Sequence, residues 1–428
     1  MLKRVIDIKK DVAVLDLGTN KICFAIAKSA QKNTSSSAIE RENDIRVLGV
    51  GYQLAKGIKR GAITNLEELE DSILSAIATA EKEAQKSVRS VFIALPSWAI
   101  ESHGIENSIN IGHVPIDDVH VSSLIDFDTT QYISHSMKVI HVFPISFSID
   151  SSSGIQDPVG MVGEKLSATI HVMSAPASLI KNIENCLERN NIKVEGFISS
   201  TYASGLSVIL DEEIISGVTL IDIGGSTTSV ACFHDGTLLY LGSIPVGGQN
   251  ITNDISMILR TSKSHAERLK ILYGVTAGGA TADEEQILVP RIDEYGEEHI
   301  QNISKGMLDS IVRARLEEIL DLVQTHINEC GADPALYQRI VITGGGSRIA
   351  GLTELIKAKR YFPNSSIRLG KPIGTVGSHD FVQTASFATS AGIVLYCLGE
   401  FLNNSAMKLS HSRKSLWQKI ITWFKRGI

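Results

Sequence analysis

VAVLDLGTNK at residues 12–21 and VTLIDIGGSTTS at residues 218–229 carry the same pattern. Each reads as an apolar, β-branched strand, an aspartate, a turn of small residues and the start of a second strand. The glycines matter because a residue without Cβ tolerates the φ values that turn successive backbone N–H groups toward one point, making a concave nest for an anion. Two such loops facing each other would clasp the phosphates of a nucleotide. A third stretch, IVITGGGSRIAGL at 340–352, repeats the recipe with Gly344, Gly345 and Gly346 between an apolar strand and a helical run. A single Asp-x-Gly turn after a strand is ordinary punctuation, but a series of three points to one ligand. None is a GxxxxGK[ST] loop and no GxGxxG opens a helix after the first strand, so both of those nucleotide-binding signatures are excluded.

At 428 residues, 43% hydrophobic and 21% charged, the chain is long enough for two or more domains with substantial cores. A formal charge of −6, with no dense basic stripe in the body of the chain, argues against nucleic acid as a partner. Cys23, Cys186, Cys232, Cys330 and Cys397 are scattered without a CxxC pair, which speaks against a zinc site or a disulfide framework and suits a reducing cytosol. The N-terminus has no apolar run of signal-peptide length, and no stretch reaches the ~18 apolar residues of a spanning helix. The expectation is a protein neither exported nor transmembrane.

Strand-like and helix-like segments alternate, which predicts an α/β fold. A polar loop at 31–43 leads to a strand near Val47 and a helix from Asn65 to Gln85, with Asn65 as cap and Glu67 and Glu68 in its first turn. VFIALP then forms a strand stopped by Pro96. From Ser97 to Ile170 the texture changes to short alternating runs broken by Gly, Pro and Ser, as in a small inserted domain. A helix from Pro176 to Asn190 and a strand from Lys193 to Ile198 restore the first pattern. A second half begins near Val218, with Asp235-Gly236 marking a hairpin turn. The two halves repeat each other, with one insertion apiece.

The residues LDLGTNK, LIDIGGSTTS, ITGGGS, STYASGLSVI and TASFATSAGIVLY resemble the phosphate-1, phosphate-2, adenosine, first connecting and second connecting motifs of the actin, hexokinase and heat-shock chaperone superfamily. Within it the chain is most similar to the FtsA family of bacterial cell-division proteins. That likeness rests on GIKRGAITNLEEL, SGIQDPVGMVGEKL and SIPVGGQNITNDI followed by SKSHAERLK, which span nearly the whole chain in the expected order. The resemblance implies an actin-like (ribonuclease H-like) α/β fold, duplicated around a nucleotide cleft. Its subdomains would be 1A (1–96 and 173–210), an inserted 1C (97–172), 2A (211–246 and 337–402, with a closing helix) and 2B (247–336). A flexible linker (403–412) and a membrane-targeting amphipathic helix (413–428) would follow.

The resemblance also implies ATP and Mg²⁺ as ligands. Gly18, Thr19, Asn20 and Lys21 would line one side of the triphosphate, with Asp16 near the metal. Gly224, Gly225, Ser226, Thr227 and Thr228 would line the other, with Asp222 as a water-mediated Mg²⁺ ligand, in keeping with magnesium's reluctance to shed water. Gly344, Gly345, Gly346 and Ser347 would pack against adenosine. Glu267 and Lys270, three apart and so on one helical face, would address ribose and adenine; a surface charge couple is the alternative.

Two positions depart from the family pattern. Ser226 stands where a third glycine is common, adding bulk or a hydroxyl beside the phosphates. Hydrolysing relatives place an acid or amide in the first connecting motif to orient the attacking water, whereas Ser199 to Gly205 contains no Asp, Glu or Gln. Phosphoryl transfer depends on positioning that nucleophile, so slow hydrolysis at most is expected and no catalytic residue is assigned. The nucleotide would act mainly by favouring one domain closure and one polymer form.

By the same resemblance, the insertion would contribute filament contacts and recruit later division proteins; a decorative insertion is the alternative. A helix from about Ser304 to Ile327 carries Lys305, Arg313 and Arg315 among acids. That neighbourhood would receive the acidic C-terminal tail of FtsZ, the tubulin-like division protein, with Arg315 as the residue singled out and a solvated mixed-charge face as the rival explanation.

RKSLWQKIITWFKRGI at 413–428, wound as a helix, puts Leu416, Trp417, Ile420, Ile421, Trp423 and Phe424 on one side. Lys419 and Arg426 lie opposite, with Lys425 at the margin. A basic amphipathic helix of this kind lies on an anionic membrane surface, here the cytoplasmic face of the inner membrane. Burying a large apolar side chain gives about 1.5 to 3 kcal/mol and each nearby basic group roughly 1, against about 1 to 2 kcal/mol per residue for ordering the backbone. One tail alone would bind reversibly, while a filament displaying many would hold by avidity. A pilus-assembly protein of the same fold and a sugar kinase are the rival readings. The tail and SGIQDPVGM count against the first, and no aspartate base stands out for the second.

Overall fold

A computed structural model describes residues 4–5, 11–29, 45–59, 62–276, 284–293, 295–329, 334–374, 381 and 383–398. The linker and the amphipathic stretch read at 403–412 and 413–428 lie outside these residues.

Two five-stranded sheets organise the molecule. The first is built from β1 (Asp11–Leu17), β2 (Lys21–Ser29), β3 (Ile45–Leu54), β4 (Ser90–Leu95) and β9 (Lys193–Ser199), with β5 to β8 lying in the insertion. The second uses β10 (Val218–Ile223), β11 (Thr228–His234), β12 (Thr237–Ile244), β15 (Arg339–Thr343) and β16 (Ser366–Leu369), with β13 (Gln286–Ile292) and β14 (Glu298–Ser304) forming a separate hairpin. Their orders, β9-β4-β1-β2-β3 and β12-β11-β10-β15-β16, are one topology read in opposite directions. In each, an antiparallel meander of three strands is extended by two parallel strands on the side of the strand that carries the aspartate. The duplication seen in the two Asp-loop motifs is therefore a duplication of whole sheets. All of β1 is buried and β10 nearly so, which is why both read as continuous apolar runs rather than alternating ones.

Local signals hold where they were strongest. The side chain of Asn65 accepts the N–H groups of Glu67 and Glu68 at 3.0 and 3.3 Å and starts helix α1 (Leu66–Ala84), which closes one face of the first sheet. Asp235 and Gly236 both take positive φ, 49° and 79°, as the tight turn between β11 and β12 requires. The other face of the first sheet is covered by α9 (Ala388–Leu398), which packs on β1, β2 and β4 although it belongs to the second half of the chain. In return α4 (Ser200–Val208), which follows the last strand of the first sheet, reaches β10, β11 and β15 of the second. The two helices cross in direct backbone contact: a Cβ at Gly392 would lie 1.7 Å from the carbonyl oxygen of Ala203.

The insertion is a four-stranded sheet, β7-β6-β8-β5, of β5 (Glu101–Asn110), β6 (Met137–Ile149), β7 (Ser152–Ile155) and β8 (Lys165–Pro176), with its own buried core and the helix α2 (Asp118–Ile125). The run KVIHVFPISFSI, with Met137 before it, is one strand despite Pro144. Pro144 pairs with Ile170 of β8, whereas β7 meets β6 only at Phe147 and Ile149, so the missing N–H falls where β6 has no second neighbour.

Two histidines weld the insertion to the rest. His141 accepts the Ser199 N–H at 3.2 Å among the rings of Phe143, Tyr202 and Tyr396, and burial holds it down to about 3. His171 sits between the Ser102 hydroxyl and the Leu238 carbonyl of β12, 3.0 Å from the latter, and burial lowers it to about 4. Both are depressed below the ordinary value, so the unfolded chain binds their protons first: the stability they contribute is complete above about pH 6.5 and is lost as the pH falls toward about 4 and then 3. The expected loss between those limits is roughly 1.4 kcal/mol per pH unit per histidine. Denaturant midpoints of the wild type and His171→Gln at pH 7.0 and about 5.5 check it. The variant should show the shallower decline, and equal declines would refute the assignment.

Candidate functional site

Between the two sheets lies a cavity of about 500 Å³. It is lined by the β1–β2 turn (Asp16, Gly18, Thr19, Asn20 and Lys21), the β10–β11 turn (Asp222, Gly224, Gly225 and Thr227), and Gly344, Gly345 and Gly346 after β15. Glu267 and Lys270 complete one side from α6 (Lys263–Tyr273). The three glycine-rich loops that are far apart in sequence thus meet at one place.

Three of the residues expected there do not line it. Thr228 is fully buried, its hydroxyl donating to the Val246 carbonyl at 2.8 Å. Ser347 turns back on its own loop, donating to Gly344 O at 2.8 Å. Ser226 uses its backbone N–H on the hydroxyl of Thr19 at 3.0 Å, so the tips of the two hairpins touch across the cleft. Beneath them Ser229 donates to Ser97 Oγ at 2.6 Å, and Thr227 Oγ1 stands 3.4 Å from the same hydroxyl.

The two aspartates have matching surroundings. Asp16 accepts the Ser390 hydroxyl from α9 at 3.2 Å, and Asp222 accepts the Ser204 hydroxyl from α4 at 2.7 Å. Burial pushes Asp16 up to about 6 against the opposing pull of Lys21, with the Asp222 charge adding to the rise. Burial also raises Asp222, opposed by the Ser204 hydrogen bond. Two carboxylates that face one cavity, poorly solvated and close enough for one charge to oppose the other, are costly without a cation between them. Gly344, at φ 86°, is where no side chain fits: a Cβ would lie 2.2 Å from Asp222 Oδ1.

Lys21 lines the cavity, but its ammonium is committed to the Ser386 carbonyl at 2.8 Å and lies over the Phe387 ring. Burial lowers its basicity, with Asp16 opposing. Glu267 and Lys270 are more than a surface couple: Lys270 Nζ donates to Glu267 Oε2 at 2.7 Å, Thr252 Oγ1 at 2.8 Å and Gly248 O at 3.1 Å. That arrangement ties α6 to the start of α5 (Gly248–Ile258), whose first N–H groups in turn hold the carbonyls of Gly224 and Gly225 at 2.9 and 2.7 Å. Helix N-terminal donors are thereby spent on shaping the loop.

Other lining residues went unread in the sequence, among them Ser97, Ser200, Gln249, Val275, Arg348 and Thr389. The signal that would have found Gln249 is the glycine pair before it in PVGGQN. Arg315 lies outside the cavity on α7 (Lys305–Glu329), chelated by Asp254 at 2.6 and 2.8 Å and bonded to Glu318. Arg313, read as part of the same charged face, stays exposed but spends Nε and Nη2 on the Thr276 carbonyl.

Residues 219–392 match the family model described as cell division protein FtsA, and residues 99–174 match the SHS2 domain inserted in FTSA. The cell division protein FtsA of Rhizobium meliloti (strain 1021) is 31% identical over 385 residues, covering 90% of this chain and 86% of the relative. That of Escherichia coli (strain K12) is 27% identical over 425 residues, covering 98% and 96%. Among solved structures, the PilM-PilN type IV pilus biogenesis complex is similar with a TM-score of 0.63 and 15% identity, over 90% of this chain and 98% of that one. MreB5 of Spiroplasma citri bound to ADP follows at 0.54 and 15%, over 93% and 99%. These neighbours establish the actin-like fold, which the pilus reading shares. Sequence identity over nearly the full length, together with the inserted domain, decides between them: the chain belongs to the FtsA family of actin-like cell division proteins.

Proposed function

We propose that the cleft binds ATP with Mg²⁺ and that the protein, polymerised on the cytoplasmic face of the membrane, tethers FtsZ filaments there to help assemble the septal ring. The observation that carries the nucleotide reading is the convergence of three glycine-rich loops and two buried carboxylates on one cavity of about 500 Å³. The residues fit the metal: Asp16 and Asp222 offer hard oxygen ligands from facing hairpins, few enough to leave a magnesium ion most of its waters. Bound there, the cation would neutralise the phosphates. The hairpin turns would hold the triphosphate by backbone N–H groups, Gly344 to Gly346 would lie under the adenosine, and the Glu267–Lys270 pair would meet ribose and base. Of the first connecting helix only Ser200 lines the cavity, and it is neither an acid nor an amide, which supports slow turnover.

The partner assignments rest on sequence and family. In this reading the segments set out above serve as subdomains, with 1C recruiting later division proteins and making filament contacts. The FtsZ tail would meet 2B near Arg315, where an acidic peptide has to compete with Asp254 and Glu318 for the guanidinium. The helix of residues 413–428 supplies the membrane contact; among the described residues no helix is long and apolar enough to cross a bilayer.

Flotation with anionic vesicles in ATP and Mg²⁺ tests the tether. The full chain should rise and carry purified FtsZ with it, and a chain ending at residue 412 should leave both at the bottom. An intact protein that stays at the bottom would remove the membrane claim.

A further inference from the structure

Gly274 and Val275 line the cavity together with Gly344–Gly346 and belong to a short strap, Gly274, Val275 and Thr276, leaving the end of α6. The polar backbone groups along it that the structure pairs are tied to its own helix end, to Ala350 and to α7. Gly274 N–H donates to Lys270 O at 3.1 Å within its own helix end, and Thr276 N–H donates to Ala350 O at 3.0 Å, where Val275 and Ala350 form a parallel bridge. The remaining two ties come from α7 and are made by side chains. Asp309 Oδ1 accepts the Val275 N–H at 3.2 Å, and Arg313 donates from Nε and Nη2 to the Thr276 carbonyl at 2.8 and 2.6 Å. Asp309 and Arg313 are four apart and so lie on one face of α7, gripping backbone groups of two consecutive strap residues, the Val275 N–H and the Thr276 carbonyl.

The grip is costly to build for packing alone. Asp309 is 4% exposed, and its Oδ2 has no hydrogen-bond partner among the described residues. A carboxylate is kept dry there although an apolar residue would pack without that cost. What the pair secures is geometric: Val275 and Ala350, one on each side of the bridge, both face the cavity, and Ile349 lies beside them. The strap and the Gly344–Ala350 segment together bring the apolar side chains of Val275, Ile349 and Ala350 to the cavity, a slot where a planar base would slide in.

We propose that Asp309 and Arg313 are positioning residues that hold the Gly274–Thr276 strap against the Gly344–Ala350 segment and so fix the width of a purine-selective base slot. The inference rests on the nucleotide reading of the cleft. Neither side chain lines the cavity, so each acts through the strap and not on the ligand. Loosening the strap removes preorganisation of the base slot while leaving the phosphate loops as they are.

Equilibrium binding of ATP and CTP to the full chain in Mg²⁺ tests this. Asp309→Leu and Arg313→Met should each weaken ATP by about tenfold, the scale of one lost charged hydrogen bond, with CTP nearly unchanged, so that the ATP-to-CTP preference collapses. Asp309→Asn keeps the acceptor for the Val275 N–H and should stay within about twofold of the wild type, as the conservative rescue. A merely structural role would weaken both nucleotides together. Parallel losses, an unchanged ATP-to-CTP ratio in folded variants, or a wild type that binds both equally would each overturn the proposal and leave the nucleotide reading standing. A wild type that binds neither would instead overturn the nucleotide reading itself. If Asp309→Leu fails to fold, Arg313→Lys, which keeps the charge but loses the two-pronged donor, carries the same comparison.

Discussion

Gly392→Ala is expected to lower the thermal midpoint of the protein by roughly 5 to 10 °C, the equivalent of about 3 kcal/mol for a domain of this size. The added methyl would lie 1.7 Å from the Ala203 carbonyl oxygen, 2.3 Å from its carbonyl carbon and 3.0 Å from its Cα, all of them backbone. No rotamer relieves such a clash, so α4 and α9 must move apart. That separation also stretches the Ser207 bond to the Ala388 carbonyl, 2.7 Å in length. It further disturbs Ser204 and Ser390, which stand on the same two helices and donate to Asp222 and Asp16. A thermal scan of the variant without ligand checks the prediction. A midpoint within 2 °C of the wild type would mean that the helices do not meet as described.

Asp222→Asn is expected to weaken Mg²⁺-dependent ATP binding about a hundredfold, or roughly 2.7 kcal/mol, while leaving the ligand-free protein as stable as the wild type or more so. Asparagine keeps an acceptor for the Ser204 hydroxyl but takes away a charge that burial disfavours. The sign follows from the raised pKa: at neutral pH the folded state bears the cost of an ionised, poorly solvated carboxylate that the unfolded chain does not, and the neutral side chain removes that cost. The two effects therefore run in opposite directions. A purely structural aspartate would lose stability and binding together. Calorimetric titration with and without Mg²⁺, beside a thermal scan, separates the cases; ATP affinity unaltered by the substitution would take Asp222 out of the site.

The duplication was legible because burial on both faces makes a strand read as an unbroken apolar run, and because a tight turn needs glycine whatever surrounds it. Asp16, Asp222 and the Gly344 loop could be found on those grounds alone. Thr228 and Ser347 could not be told from cavity-lining residues, since a hydroxyl beside a glycine reads the same whether it faces a ligand or caps its own loop. Helix α2 escaped for a related reason. It is eight residues long and is capped by Asp117, whose side chain accepts the N–H groups of Val119 and His120, and little more than two turns carry too little periodicity to register. Arg313 and Arg315 are separated by one residue in the sequence. They face opposite environments, one gripping the Thr276 carbonyl and the other held by Asp254, because neighbours two apart on a helix do not share a face.

The exchange of helices between the sheets bears on the order in which the chain becomes competent to fold as it is made. Strands β1, β2, β4 and β9 have all been synthesised by residue 199, but the helix that covers β1, β2 and part of β4 is residues 388–398. Through the synthesis of nearly two hundred further residues, at about 5 to 20 per second, that part of the sheet waits for its cover for some tens of seconds at the slower rate and for about ten at the faster. A nascent chain stalled just before residue 388 would accordingly be the species that needs a chaperone most, and a release of a few dozen residues would end that dependence.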